Sequence, residues 1–220
     1  MYKRQGLDIN FSQIIQIGSV LTDSDFKILD ELNLSSQVLP WVVPSPDAFL
    51  VHKQTACLEN GLSHFEMMRT LREKWLSWGK EKNLIFVSYN GHRFDEELVR
   101  RQFYWNLFDP YITNTNGNRR LDLMSLFQII GNFFDSKIKV PKDDEENISL
   151  KLTDLAKENN ISAANAHDAI VDCMLMLKLM KKIKVEAPEA LDAAIDGSSK
   201  NGNIQLSKTE PFCLLGEIYR

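Results

Sequence analysis

The sequence predicts an α/β domain with a mixed sheet, and three observations carry that prediction. A β-branched, half-alternating pair of segments comes first, helical patterns follow, and one short apolar strand lies among the helices. Residues 14–21 alternate enough to form a strand. Thr22-Asp23-Ser24-Asp25 supplies turn chemistry, and 26–34 reads as the antiparallel partner. Pro40, Pro44 and Pro46 break the next stretch into loop. Ser63-His64-Phe65-Glu66 opens a helix with a capping box, and Phe65, Met68, Leu71, Trp75 and Trp78 give it one apolar face. Leu84 to Val87 is a continuous apolar run, as in a strand covered on both sides. A loop at Asn90-Gly91 leads into a helix through Phe103 and Trp105. Asp122 reads as the N-cap of a helix reaching about Ile130, the acidic run 143–146 as a solvated loop, and Ser149 or Lys151 as another helix start. The last strong helix runs from Asp168 to about Lys182. Pro188, Gly197 and Gly202, with polar residues between them, give 184–210 the composition of a linker, and 211–219 has strand composition.

The chain has 220 residues, enough for one full-sized core. Its hydrophobic fraction of 44% and charged fraction of 25% are globular values. A formal charge of −4 argues against a basic, sequence-reading DNA-binding protein. It leaves open a site that gathers carboxylates around cations, because those cations attract phosphate themselves. Cys57, Cys173 and Cys213 are odd in number and widely spaced, so neither a disulfide framework nor a structural zinc site is expected. No stretch reaches membrane-spanning length, and the reading is a soluble, cytoplasmic protein without a membrane partner.

Few residues are placed to carry chemistry. Asp95 follows the apolar strand by a few positions, where α/β sheets present functional groups. Taken alone it reads first as a helix N-cap or first-turn acid, with Glu96 and Glu97 behind it. His167 and Asp172 are five residues apart, about 140° around an ideal helix. They can share a cleft only if His167 lies in the loop before the helix, capped by Asn165 or Asp168; otherwise Asp172 faces solvent. Its neighbours Val171 and Cys173, in an apolar run, make a carboxylate there costly unless it is paired or bound to metal. His92 reads as a surface-loop residue. Arg93, Arg100 and Arg101 read as a mixed-charge face that could also meet phosphates.

The ordered set of stretches is more specific than any one of them. It comprises Leu21-Thr22-Asp23-Ser24-Asp25-Phe26, Tyr89-Asn90-Gly91-His92-Arg93-Phe94-Asp95-Glu96-Glu97, and Phe103-Tyr104-Trp105-Asn106 with Asp109-Pro110-Tyr111. Arg120-Leu121-Asp122-Leu123 and Asn165-Ala166-His167-Asp168-Ala169 with Asp172 complete it. From about Gly6 to Lys182 the chain resembles the exonuclease domain of bacterial exonuclease I, a DEDDh-type 3′→5′ exonuclease of the ribonuclease H-like fold. The resemblance implies a mixed sheet flanked by helices, Asp95 and Asp172 as metal ligands, and His167 as the general base for the attacking water. It implies two Mg²⁺ or Mn²⁺ ions about 3.5–4 Å apart. Residues 48–55, with Val51 and His52, resemble the segment that packs on the 3′-terminal nucleotide, and Asn90 and Arg93 are further substrate-binding candidates. Single-stranded DNA is the implied partner, a single-strand DNA-binding protein a second one, in a DNA-repair setting and as a monomer.

The sequence departs from the family at its start. The family's first motif is Asp-x-Glu-Thr-Thr-Gly on the opening strand; if Gly6 is that last glycine, Met1 stands for the Asp and Lys3 for the Glu. The expected organisation is therefore a foreign segment at 1–5 and an exonuclease domain at 6–183 lacking its opening strand. A linker at 184–210 and the start of a truncated SH3-like domain at 211–220 complete it. Without an opening strand, the edge of 14–21 is expected to stay unpaired. With Asp95 and Asp172 alone, metal affinity should fall sharply. Two alternatives follow: a catalytically inactive nucleic-acid-binding fragment, or an RNA exonuclease of the same superfamily, since preference rests on how a site treats the 2′-hydroxyl.

Overall fold

The computed structural model describes residues 2–4 by their backbone, together with 12–43, 45–46, 60–92, 94–133, 137–142, 147–163 and 168–209. Strands β1 (Tyr2–Arg4), β2 (Ile14–Thr22) and β3 (Ile28–Ser35) form an antiparallel sheet in that order. Strands β4 (Ile85–Ser88) and β5 (Arg119–Asp122) form a parallel pair. A parallel pair needs a crossover, and here the connection contains helix α2 (Asp95–Trp105). The expected α/β architecture is present, with antiparallel and parallel pairing divided between two sheets.

The expectation of an unpaired edge on β2 is corrected. Tyr2, Lys3 and Arg4 pair with Ile17, Gln16 and Ile14, so residues 1–5 include the strand that covers this edge. Short sequence patterns cannot reveal this, because three residues carry too little periodicity to read as a strand.

Helix α1 (His64–Trp78) begins as its sequence predicts. The Ser63 hydroxyl accepts from the Glu66 amide, and the Glu66 carboxylate accepts from the Ser63 amide. It packs with α2 in a core of Ile14, Ile17, Met68, Leu71, Trp75 and Phe103. A second core joins helices α3 (Leu123–Phe133), α4 (Leu152–Glu158) and α5 (Ala169–Glu186) through Phe127, Leu155, Leu179 and Ile183. Each such side chain contributes about 1.5–3 kcal/mol by leaving water.

The expected linker is also corrected. Residues 184–186 finish α5, and two further helices follow, α6 (Pro188–Gly197) and α7 (Lys200–Thr209). Pro188 starts α6 at a position where its missing N–H costs nothing. Ala187, Ala190 and Leu191 enter the second core. The Pro/Gly/Ser composition marked helix ends, and four apolar residues (Ala190, Leu191, Ala194 and Ile195) were enough to dock the helix between them. Residues 211–220 lie outside the described residues. Among the described residues, no helix is long and apolar enough to cross a membrane.

Candidate active site

The parallel pairing of β4 and β5 puts their carboxyl ends together, with Ser88 opposite Asp122. Both strands end in polar side chains at this edge. The chain leaving β4 turns at Asn90, which has a positive φ of 54°. Gly91 then passes so close to Ser88 that a Cβ would stand 1.9 Å from its Oγ and 2.3 Å from its Cβ. The turn closes with the Glu96 amide donating to the Gly91 carbonyl at 2.9 Å, and Asp95 becomes the first residue of α2. A side chain at position 91 would push apart the two segments that aim Asp95.

Asp122 fixes this turn from the neighbouring strand. Its Oδ1 accepts from the amides of Asn90 and Met124, both at 2.9 Å, and its Oδ2 accepts from the His92 amide at 3.3 Å. The carboxylate is buried. It is the N-terminal cap of α3 that the sequence predicts, and it is also a clamp on the loop leading to Asp95. Only the first role had a sequence signal, since the second depends on β5 lying beside β4.

A buried acidic group follows directly. Glu96 pairs with Arg120, and His92 Nε2 lies 3.5 Å from its Oε1. Burial raises the Glu96 carboxyl above its usual range, against the pull of Arg120 and His92, with Asp122 adding to the rise. His92 is thus tied to Glu96 and exposed, which agrees with its reading as a surface-loop residue. Tyr89 donates its hydroxyl to the Leu150 carbonyl, and burial pushes that phenol well above its ordinary value.

Asp172 is placed by a different set of contacts. It lies in the first turn of α5 and is buried, with its amide donating to the Asp168 carbonyl at 3.0 Å. Asp168 caps the helix by accepting from the Ile170 amide at 3.0 Å. Strand β2 grips this helix start. Gln16 Nε2 donates to Asp168 Oδ2 at 2.9 Å, and Gln16 Oε1 accepts from the Ala169 amide at 3.3 Å. At Gly18 a Cβ would stand 2.6 Å from the Ala169 carbonyl carbon and 2.7 Å from the Ile170 nitrogen. Only glycine permits so close a helix-to-strand approach. The solvent-facing alternative for Asp172 is therefore excluded.

Of the residues the sequence singled out, Asn90 and Asp95 share the β4–α2 turn, and Asp172 stands on α5. His167, Val51, His52 and Arg93 lie outside the described residues. Among the described residues, no three His, Cys, Asp or Glu side chains form a group that could hold a metal ion. The two buried or half-buried carboxylates offer hard oxygen donors, which suit Mg²⁺ or Mn²⁺ in kind though not in number.

No protein-family model matches the chain. It is 29% identical over 219 residues to exodeoxyribonuclease I of Buchnera aphidicola from Schizaphis graminum, covering 96% of this chain and 44% of that protein. It is likewise 29% identical over 203 residues to exodeoxyribonuclease I of Haemophilus influenzae, covering 90% and 42%. Escherichia coli exonuclease I in complex with a dT13 oligonucleotide superposes with a TM-score of 0.86 at 23% identity, over 93% of this chain and 44% of that one. The fold is that of the matching part of exonuclease I. The ribonuclease H-like architecture that the motifs imply is therefore present, and the chain spans less than half the length of the relatives named here.

Proposed function

We propose that this chain is a 3′→5′ exonuclease domain that hydrolyses phosphodiester bonds of single-stranded DNA. The observation that carries the reading is the exonuclease I fold with the turn before Asp95 clamped by Asp122 and the helix start before Asp172 gripped by Gln16 and Gly18. The oligonucleotide bound to the Escherichia coli relative supports the substrate class. A single-strand DNA-binding protein is a second partner in this reading, as in the structure of SSB with exonuclease I.

In this mechanism Asp95 and Asp172 would hold divalent metal, and His167 would take the proton of the attacking water. Mg²⁺ or Mn²⁺, when bound, supplies Lewis-acid activation of the phosphate. The protein's own work is positioning. Asp122 fixes the turn before Asp95, and β2 fixes the helix start before Asp172, so the backbone leading to each carboxylate is ordered before substrate arrives. Asn90, in the same clamped turn, is the described candidate for contacting the strand.

A specific observation favours a second reading, a nucleic-acid-binding domain without catalysis. The described residues include no three-ligand group. In addition, β1 sets Lys3 opposite Gln16, where the resemblance expects a glutamate. One assay separates the two readings: shortening of a 5′-labelled single-stranded DNA by the chain with Mn²⁺, with Asp95→Ala as control. The exonuclease reading expects a ladder that chelator and Asp95→Ala abolish. A ladder that survives both would remove these residues from the mechanism. Tight binding by a folded chain without any ladder would establish the second reading.

A further inference from the structure

We propose that the cavity between the start of α1 and the end of α2 binds an unstacked nucleobase of a single strand, well away from the catalytic carboxylates. This rests on the proposed action on single-stranded DNA and adds a binding site to it. The cavity measures about 790 Å³, with walls formed by Leu39, Trp41, Val43, Phe65 and Trp105. That is within the range of about 300–1,000 Å³ for small-molecule pockets. Trp41 is 75% exposed and Trp105 41%, so two indole rings of the lining are open to solvent. Base–aromatic stacking tolerates any base, because every base has a π-face.

Ser63, His64 and Asn106 are the polar residues of the cavity's lining, and His64 is the buried one. It lines the wall, is only 5% exposed, and neither ring nitrogen has a hydrogen-bond partner among the described residues. Burial lowers its pKa to about 4, so the ring is neutral at pH 7. A neutral imidazole offers one donor and one acceptor. The edge of a nucleobase offers both in return, whereas an apolar guest would leave two buried polar atoms unpaired. Two arginines pack on aromatic rings at or next to Phe65 of the wall. The Arg69 guanidinium lies 6.0 Å from the Phe65 ring centre and that of Arg72 5.6 Å from Phe108, and the two rings are 5.5 Å apart. This row of arginines and aromatics beside a neutral hydrogen-bonding wall suits a nucleic acid better than an apolar peptide. Asp95 and Trp105 stand at opposite ends of α2, about 15 Å apart at ~1.5 Å per residue. The site would thus hold a nucleotide upstream of the one being removed.

The test is the affinity of the full chain for a labelled thymidine oligonucleotide and for an abasic strand of equal length, both in chelator so that nothing is cut. Trp41→Ala with Trp105→Ala changes only exposed rings. It should weaken thymidine-strand binding about 5- to 150-fold, the effect of losing one or more stacked bases, and leave the abasic strand's weak binding unchanged. His64→Phe should keep the stacking and lose about 2- to 12-fold. Three results overturn the site: native binding by the tryptophan variant, equal native affinity for both strands, or no binding of either. Dissociation of a dimer by the same variant in sedimentation equilibrium would also overturn it, in favour of a contact between copies. Failure of the exonuclease reading looks different, as thymidine strands bound through the tryptophans but never shortened in Mn²⁺.

Discussion

Replacing Asp122 tests the idea that one carboxylate organises the turn leading to Asp95. In Asp122→Ala three amides lose their acceptor, those of Asn90, His92 and Met124. Hydrogen bonds to charged groups contribute about 1.5–3 kcal/mol each, but three made by a single carboxylate overlap and are not additive. The expected loss is roughly 3–5 kcal/mol, at the upper end for a single substitution. Asp122→Asn keeps an acceptor oxygen for Asn90 and Met124 while setting an NH₂ group against the His92 amide. Its expected loss is about 1–3 kcal/mol. Urea denaturation followed by far-UV circular dichroism measures both, and hydrogen exchange at Asn90 and His92 reports on the turn itself. If the clamp also positions Asp95, the asparagine variant should weaken Mn²⁺ affinity and strand shortening while remaining folded. An alanine variant that loses less than about 1 kcal/mol, with slow exchange retained at both amides, would refute the argument.

Two other substitutions probe the remaining supports. Gly18→Ala places a methyl group 2.6–2.7 Å from the backbone of Ala169 and Ile170. Backbone cannot swing aside as a side chain can, so the expected cost is about 1–3 kcal/mol or more. Loss of strand shortening should exceed what that instability explains, because α5 carries Asp172; a variant as stable and active as the native chain would show that the approach is not tight. His64 should make the chain acid-sensitive. Its pKa is near 6.5 when unfolded and about 4 when folded, so the unfolded state binds more protons between those values. Stability is then full above about pH 6.5, falls as pH drops toward 4, and levels off below, a change of roughly 3 kcal/mol. Urea midpoints across that window should fall for the native chain and flatten for His64→Phe; parallel curves would refute the assignment.

The sequence alone determined the features written in local chemistry. The capping box at Ser63 and Glu66, the β2–β3 hairpin, the apolar strand before Asn90 and the helix beginning at Asp168 each follow from a few adjacent residues. The candidate site was legible to the extent that its residues follow such elements, as Asp95 and Asp172 do. Tertiary structure decided what depends on distant partners. Gln16 reaches Asp168 across 152 residues, and nothing in a strand sequence marks a glutamine as the grip on a helix. Asp122 carried the signal of a cap, and only the β4–β5 pairing made it a clamp as well. The three-residue strand β1 was too short to leave a pattern. Helix α6 reads as linker because Pro and Gly mark its ends, and its few apolar residues acquire meaning only against the core they meet. Local propensity specifies elements; the contacts that fix the segments before Asp95 and Asp172 arise only when those elements are brought side by side.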